Sequence, residues 1–339
     1  MGDRSVKDGI LRIAGHCIRN APAAWLTRSF FRRYSNVVFL HGVWERGTAR
    51  KDIFGGLYVD EFAELIDSLS TFFEFVEIEK ILNPDANEKW GLRPRMHLTF
   101  DDGLDLVNSG AMDVLNERGI SATVFVNTAC VTNTHLMWQH LISAVRRLKG
   151  GAVFLKELND LQERIGQELR VIDDNLQIEA TRRWPMARKD EYATVLWAAC
   201  EMPPMTEFLA QHLPYLNWGD LRSLKASGHT IGFHTHTHPF SSSLTEDQIE
   251  TEIVTPVSQL HAQLGVGAIP FAYPFGDSLA PERAARLAES GIFSCLMGTG
   301  RFSRIGDGSN EIGRVEVESD VETEVFSRPI VQAIRSIVR

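Results

Sequence analysis

The stretch MHLTFDDG (residues 96–103) places a short run of apolar and β-branched residues directly before two adjacent carboxylates and a glycine. Such a run is typical of a buried strand, and Asp-Gly is typical of the turn that ends one. Similar runs occur at residues 36–43 (NVVFLHGV) and 121–126 (SATVFV), with segments of helical periodicity between them. This alternation predicts an α/β fold with a mostly parallel sheet, either open or closed into a barrel.

Polar residues follow several of the predicted strands. The pair Asp101 and Asp102, the histidines within residues 234–238 and the loop at residues 273–277 all come directly after strand-like runs. Functional groups of parallel α/β folds collect at the carboxyl ends of the strands. The sequence therefore predicts that these three groups form one site.

Residues 137–215 have helical periodicity without clear strands, apart from a candidate short strand at GAVFL (residues 151–155). We interpret them as a helical insertion between barrel units. Further along the chain, Thr245 and Gln248 form a capping box for another helix, which Pro256 should kink or divide.

The composition excludes several classes of protein. The chain has 339 residues and a formal net charge of −9, which argues against a general nucleic-acid binder. It has neither a long apolar run nor the pattern of a secretion signal, so we expect a cytoplasmic protein. The scattered cysteines predict reduced thiols rather than disulfides or a zinc ribbon: Cys17, Cys130, Cys200 and Cys295.

Residues 1–35 are basic in an otherwise acidic chain, with seven basic and two acidic residues and a net charge of +5. Apolar residues are interleaved with these charges. The segment could be a helix packed on the body with solvated arginines. Alternatively, it could be an amphipathic segment in peripheral contact with an anionic membrane at its inner face.

The stretch GFHTHTHPF (residues 232–240) has His234, His236 and His238 at alternate positions. Imidazole is the commonest metal-ligating side chain, and together with a carboxylate it suits a divalent ion. In an extended segment all three histidines face the same way, whereas a helical turn aligns only His234 and His238. Pro239 favours an extended His238, which leaves the role of His236 open.

Adjacent carboxylates on a strand point to opposite faces, so only the turn at Gly103 could bring Asp101 and Asp102 to one site. One carboxylate could then ligate a metal while the other takes a proton from water. The alternative is an ordinary Asp-Gly turn with a helix-capping aspartate. The loop FAYPFGD (residues 271–277) could offer a backbone N–H to an oxyanion and an apolar wall to a sugar.

Taken in this order, the TFDDG, HTHTH and YPFG motifs resemble those of the polysaccharide deacetylases of carbohydrate esterase family 4. The resemblance runs from about residue 37 to residue 317 and includes the segments SATVFVNT, LNWGDLRSLKASGHTIGFHT and SLTEDQIETEI. It implies a distorted, incomplete (β/α) barrel. We therefore expect a catalytic domain at residues 36–339, which carries the helical insertion read from the periodicity, preceded by an N-terminal helical extension at residues 1–35. It also implies metal-dependent hydrolysis of an N-acetyl or O-acetyl group on a glycan.

The resemblance also implies roles for individual residues. Asp101 would be the general base, and His236 falls on the variable position of the histidine motif. The metal ligands would be Asp102, His234 and His238, with zinc as the expected ion. The backbone N–H of Phe275 would help to hold the oxyanion, in a loop that Tyr273 and Pro274 shape.

The chain departs from the best-known family pattern at two positions. Ala272 replaces the arginine that orients the base, as in a related branch that has a FAYP-type loop and handles biofilm-type exopolysaccharides. Arg314 is the candidate replacement, although it could also be a surface ion-pair residue. No histidine follows His261, so the usual C-terminal acid histidine is absent. In the related branch a histidine on the first strand takes that role, and this resemblance makes His41 in FLHGV the candidate general acid, the alternative being a histidine buried against that strand.

These features predict a deacetylase that acts on an acetylated sugar or glycan precursor, in surface polysaccharide biosynthesis. Trp138 and Trp218 are candidates for stacking on sugar, or else core indoles. A hydrolase of a small amide, such as a formamido sugar or a cyclic ureide, would need the same residues. A catalytically inactive sugar-binding homologue is the third hypothesis, and the sequence leaves the oligomeric state open.

Overall fold

The computed structural model describes residues 24–83, 93–172, 179–306, 308–318 and 325. In chain order, its strands are β1 Tyr34–Leu40, β2 Val43–Trp44, β3 Leu57–Tyr58, β4 Glu74–Phe75, β5 Arg95–Phe100, β6 Ala122–Val126, β7 Thr230–Phe233, β8 Ile269–Ala272, β9 Phe293–Thr299, β10 Ser303–Arg304 and β11 Glu311–Glu316. Two further short segments are 3-10 helical near the site, at residues 241–243 and 274–276.

The α-helices, again in chain order, are α1 Ala24–Phe31, α2 Arg50–Phe54, α3 Val59–Ser70, α4 Ile78–Leu82, α5 Ala111–Glu117, α6 Trp138–Lys149, α7 Gly151–Arg164, α8 Lys189–Ala199, α9 Met205–His212, α10 Trp218–Ala226, α11 Glu246–Ile249, α12 Thr255–Leu264 and α13 Pro281–Glu289. A π-helical segment, Glu250–Val254, joins α11 to α12. In the described part of the chain, none of these helices has the length and apolarity needed to cross a membrane.

Seven parallel strands form a closed ring in the order β1, β5, β6, β7, β8, β9 and β11. The ring closes because β1 pairs in parallel with both β5 and β11. Two short strands lie outside it: β4 pairs with the start of β5, and β10 pairs antiparallel with the start of β1. The (β/α) barrel predicted from the sequence is confirmed, with one strand fewer than the usual eight.

The ring strands are buried on both faces, which is why their sequences are nearly continuous apolar runs. One face packs against the surrounding helices. Alternate residues point into the ring, where Val37, Phe125, Ala272 and Met297 belong to a separate small apolar cluster. Gly232 is required there, because a Cβ atom at this position would lie 2.4 Å from the ring of Phe125. The barrel interior is therefore packed, and the site can only lie at an end of the ring.

The helical insertion contains α6 to α9, which the sequence predicted. The candidate strand at residues 151–155 was wrong, since these residues open α7. Phe154, Leu158 and Leu161 are buried along that helix at spacings of four and three residues. The helical period extends beyond the five-residue window, and it overrides the local preference for a strand.

The N-terminal extension is described only from residue 24 onward, and residues 1–23, including Cys17, lie outside the described residues. Phe31 is buried at the end of α1 and makes edge contacts with Phe72 and Phe73. The guanidinium of Arg28 lies 5.5 Å from the centre of the Phe72 ring. This last helix of the extension therefore packs on the barrel, and β1 begins directly after it at Tyr34.

The described cysteines are unpaired thiols, as the sequence predicted: Cys130, Cys200 and Cys295.

Candidate metal centre and active site

The strands bring the predicted polar residues to one end of the barrel. His41 follows β1, Asp101 and Asp102 follow β5, and His234 follows β7. The ladder continues into this end, because Asp101 N–H donates to the carbonyl of Leu40 at 2.9 Å. All are carboxyl ends of parallel strands, so the predicted convergence of these groups is confirmed.

Asp102, His234 and His238 form a compact buried group, and it is the one group in the described ranges that could hold a metal ion. The Oδ1 atom of Asp102 lies 3.6 Å from Nε2 of His234 and 3.3 Å from Nε2 of His238, and the two Nε2 atoms are 3.2 Å apart. Tetrahedral zinc with bonds of about 2.0–2.2 Å separates its ligand atoms by about 3.3–3.6 Å. Asp102 Oδ1 is buried without a hydrogen-bond partner, as expected of an atom that binds an ion. The residues therefore fit a zinc-like ion.

The candidate ligand His234 is held in place through its other ring nitrogen. Nδ1 lies 2.7 Å from the carbonyl oxygen of Ala272, so an N–H there donates to that oxygen and leaves the Nε2 lone pair free. Burial lowers the pKa of His234 to about 4, which keeps the imidazole neutral and able to ligate. The Ala272 position of the third motif thus contributes through its backbone.

Four of the seven non-glycine residues with positive φ in the described ranges belong to this site: Asp102 (70°), Thr235 (68°), His238 (60°) and Phe275 (59°). Such backbone strain concentrates at functional sites, where the surrounding contacts hold it in place. At Asp102 it turns the second carboxylate toward the side of the first, which an extended strand could not do. The extended conformation predicted for His238 from Pro239 was wrong, because the turn with positive φ at residues 235 and 238 overrides the pre-proline preference.

This turn separates the three histidines. His234 and His238 face each other, whereas the Nδ1 of His236 lies 2.8 Å from the hydroxyl of Thr128 on the neighbouring loop. Neither a fully extended nor a helical segment describes the stretch. His234 and His238 lie together in the candidate metal group, whereas His236 contacts the neighbouring loop.

The π-helical segment also holds the turn at residues 235–238. Pro256 divides the helix as predicted, and because it has no N–H it cannot donate to the carbonyl of Glu252. That carbonyl instead accepts the N–H of His236 at 2.8 Å. The Glu252 carboxylate accepts both the N–H (2.9 Å) and the hydroxyl (2.6 Å) of Thr237. A helix defect is therefore part of the support for the candidate metal ligands.

Asp101 is buried beside the metal group and is paired with Arg314 on β11. Two hydrogen bonds join Nη1 to Oδ1 (2.6 Å) and Nη2 to Oδ2 (2.9 Å), and Nη1 also donates to Thr99. Burial would raise the pKa of Asp101, but the charge and hydrogen bonds of Arg314 together with the nearby His234 and His41 outweigh it, and the pKa stays below its usual value. Arg314 is fully buried, so it is not a surface ion-pair residue.

His41 lies at the same end of the barrel and is one-third exposed. Its backbone N–H and its Nδ1 both contact the carboxylate of Glu318, the latter at 3.3 Å. Partial burial lowers the pKa of His41, but Glu318 and the two aspartates raise it more, to about 10. The imidazole is therefore protonated at neutral pH, and it is not buried against its strand.

The three residues of the predicted oxyanion loop differ in exposure. Tyr273 and Pro274 are buried, and Tyr273 packs on Phe271. Phe275 is 39% exposed, and its ring centre lies 4.8 Å from that of His238. Gly276 is needed next to it, because a Cβ atom there would lie 2.0 Å from Thr299 Oγ1.

The two tryptophans proposed to stack on sugar are not equivalent. Trp138 is only 1% exposed, and its indole N–H donates to the carbonyl of His238 at 2.8 Å. Its faces are covered in this structure, so the stacking prediction fails for Trp138, which supports the histidine turn instead. Trp218 begins α10 and packs, half-buried, against the main core.

Several supporting residues escaped the sequence analysis. His140 of α6 contacts Asp102, Glu318 contacts His41, and Lys189 of α8 donates to Thr237 Oγ1 at 2.6 Å. None of them lies in a motif. The one signal was for His140, a polar residue within a mostly apolar helical stretch, whereas Lys189 stands in a run of charged residues.

Comparison with known proteins agrees with this geometry. The family model described as polysaccharide deacetylase matches residues 91–165 and 198–290. The Streptococcus pyogenes deacetylase PplD, solved in complex with acetate, is 14% identical with a TM-score of 0.52, covering 88% of this chain and 96% of that one. IcaB from Ammonifex degensii is 17% identical with a TM-score of 0.51, covering 86% and 95%.

At these identities the two structures establish the fold alone, and no curated protein sequence matches the chain significantly. The family model, in contrast, spans the residues of the aspartate and histidine motifs and those of the third motif. Together with the barrel and its buried aspartates and histidines, this match shows that the chain belongs to the polysaccharide deacetylase family of hydrolases.

Proposed function

We propose that the protein is a metal-dependent deacetylase that removes an acetyl group from an N-acetylated or O-acetylated sugar or glycan precursor. The observation that carries this proposal is the adjacency of two different carboxylates. Asp102 completes a triangle of ligand atoms with His234 and His238, while Asp101 is held beside it by Arg314. A ligand set next to a separately held base is what hydrolysis by activated water requires.

A divalent ion bound by Asp102, His234 and His238, most simply zinc, would supply Lewis-acid polarisation of the acetyl carbonyl and would acidify water. Asp101, which is a carboxylate at neutral pH, would accept a proton from the attacking water at a carboxylate oxygen. The Phe275 N–H would donate to the carbonyl oxygen as negative charge develops there. His41 would give its proton to the departing nitrogen or oxygen as the bond to the acetyl carbon breaks, which yields acetate and the free amine or hydroxyl.

Two contacts support an active enzyme over an inactive sugar-binding homologue. Arg314 makes the bidentate contact with the base that the arginine absent at Ala272 would make in the best-known pattern. His41 and Glu318 form a charged pair at the correct end of the barrel for a general acid. Both support assignment to the branch with a FAYP-type loop.

The proposal extends to surface polysaccharide biosynthesis in the cytoplasm, with residues 1–35 in peripheral contact with the inner face of an anionic membrane. The net charge of +5 in this segment supports the membrane contact. The test is deletion of residues 1–23, because Phe31 and β1 belong to the barrel. Binding to anionic liposomes that does not change on deletion would contradict the membrane contact.

The experiment for the activity combines metal content with acetate release. Elemental mass spectrometry should find about one zinc-like ion per purified chain, lost in His234→Ala. The loaded protein is then assayed on N-acetylated sugars, O-acetylated sugars and small amides, which include a formamido sugar and a cyclic ureide. Release of acetate from the sugars supports the proposal, and cleavage of the small amides alone would favour the alternative substrate class. A protein that takes up no metal after reconstitution would refute the metal-dependent mechanism.

A further inference from the structure

The helical insertion reaches the metal group through its first helix. Trp138 and His140 lie two residues apart on α6. The indole of Trp138 donates to the backbone of the ligand His238, and the imidazole of His140 contacts the ligand Asp102. One turn of one helix therefore touches two of the three residues that would hold the ion.

The contact with Asp102 is specific in its atoms. His140 Nε2 lies 3.2 Å from Oδ2 of Asp102, while Oδ1 of the same carboxylate faces His234 and His238. Oδ1 therefore faces the candidate ion site, while Oδ2 is bound by the insertion. A carboxylate with one oxygen hydrogen-bonded is held in one orientation, so its free oxygen stays directed at the ion.

The other side of the imidazole is also bound. His140 Nδ1 lies 2.8 Å from the hydroxyl of Tyr215, and that oxygen accepts the backbone N–H of Met137 at 3.1 Å. A carboxylate can only accept a hydrogen bond, so the contact with Asp102 places a hydrogen on Nε2 of His140. Nδ1 of that tautomer is an acceptor, and the Tyr215 hydroxyl donates to it.

The imidazole is held by packing as well. Its ring stacks on Tyr215 with centres 5.7 Å apart and meets Phe54 edge-on at 5.4 Å. His140 is 6% exposed, so water is excluded from its contact with the carboxylate.

We propose that His140 is a positioning residue of the metal centre, so that the helical insertion completes the ion site by orienting Asp102 through the chain Tyr215, His140, Asp102. This inference rests on the proposed function, because it requires that Asp102 ligates an ion. His140 acts through Asp102 and contributes no ligand atom of its own.

The test is the affinity of the metal-free full chain for Zn²⁺, measured by competition with a chromogenic chelator at fixed pH. His140→Leu should raise the Kd about 10- to 100-fold, the usual effect of losing a hydrogen bond to a ligand. His140→Gln keeps an N–H donor near the position of Nε2 and should bind within a few-fold of wild type. Tyr215→Phe removes only a hydroxyl and should weaken binding less than His140→Leu.

The matched control is His229→Leu. His229 is another buried histidine with hydrogen bonds to Ala122 and Asn116, at the start of β7 and away from the metal group. Its Kd for Zn²⁺ should equal that of the wild type. Unchanged affinity in both His140→Leu and Tyr215→Phe would overturn the inference, as would an equal loss in His229→Leu. If the wild type itself bound no Zn²⁺, the proposed function would fail first, and the two failures are thereby distinguished.

Discussion

Asp101 and Asp102 are neighbours in the chain and both are buried, yet different parts of the molecule hold them. Asp101 is bound on both oxygens by Arg314, a residue of the barrel ring. Asp102 has one oxygen bound by His140 of the helical insertion and the other directed at the histidines. The difference in partners separates the proposed base from the proposed ligand, although the two side chains are chemically identical.

The pKa values of the two carboxyls are also set by these different partners. Burial would raise the pKa of both carboxyls, but Arg314 lowers that of Asp101, and the histidines His238 and His140 lower that of Asp102 further. Asp101 has a permanent cation as its partner. Among the described residues, the partners of Asp102 are imidazoles, which an ion of charge two would join. The barrel thus neutralises its carboxylate in advance, whereas the insertion leaves the second carboxylate for the ion.

The strongest test of this division is to neutralise each carboxylate. Asp101→Asn should lower kcat for acetate release about 10²- to 10⁴-fold, the usual effect of losing a general base, and should retain the metal. Asp102→Asn should lose the metal as well as the activity, because an amide is a poorer ligand for zinc. The measurements are steady-state kinetics and elemental analysis of the same preparations. Equal metal content and equal rate loss in the two variants would contradict the separate roles.

The second test concerns the partner of Asp101. Arg314→Met should lower the free energy of unfolding by about 3–5 kcal/mol, because it leaves a buried carboxylate unpaired. Urea denaturation of the metal-free protein measures this loss. Arg118→Met removes the exposed pair with Asp67 and should cost far less, because solvent screens that pair. The double variant Arg314→Met with Asp101→Asn should recover part of the loss, and no recovery would mean that the pair is not the source of the stability.

Some residues of this site could be predicted from the sequence more directly than others. The aspartates and histidines could be found because each group directly follows a strand, and the carboxyl ends of parallel strands meet at one end of a barrel. The pairing of Asp101 with Arg314 joins residues 213 positions apart. It was accessible only because the resemblance indicated that an arginine was missing at Ala272.

The rest could not be read from local patterns. His140 lies on a helix whose buried positions are mostly apolar, and nothing in its spacing distinguishes a contact with Asp102 from a core position. The φ of 60° at His238 contradicts the preference that Pro239 imposes, because tertiary contacts determine it. Tertiary contacts also bury Trp138. These features depend on the packing of the insertion against the barrel, which periodicity does not encode.

The third test compares the support that the barrel and the insertion give to the ion site. The π-helical segment, which belongs to the barrel part of the chain, holds the histidine turn at residues 234–238. Glu252→Gln removes one of the two acceptors for Thr237 and the negative charge beside it. The free energy of unfolding should fall by about 1–2 kcal/mol, the cost of an unmet hydrogen bond at a half-buried site. The Kd for Zn²⁺ should rise less than in His140→Leu, because Glu252 holds the backbone and not a ligand atom.

The control for this test is Glu250→Gln in the same π-helical segment, where the exposed carboxylate accepts from the hydroxyl of Thr255. Its effect should be within about 0.5 kcal/mol of wild type. A larger rise in Kd for Glu252→Gln than for His140→Leu would place the main support of the ion on the barrel side rather than in the insertion.

The smallest expected effect is a shift in the pH dependence of kcat, caused by changing the charged pair of His41 with Glu318. A general acid must be protonated, so kcat should fall as pH rises through the pKa of His41, which Glu318 helps to raise to about 10. Glu318→Gln removes the largest of the raising effects, and the alkaline fall should move to lower pH, toward the ordinary value of about 6.5. The displacement stays partial because Asp101 and Asp102 also raise the pKa of His41.

The same pair links pH to stability with a defined sign. Because the pKa of His41 is raised in the folded state, its stabilising contribution is complete below about pH 6.5 and is lost as pH rises toward about 10. Glu318→Gln should therefore flatten the dependence of the unfolding free energy on pH in that window, while His41→Gln should abolish it together with the alkaline limb of kcat. If the alkaline limb of kcat stayed in place in both variants, a group other than His41 would donate the proton. The roles proposed for the base Asp101 and the ligand Asp102 would then stand, but the role of His41 as the acid would not.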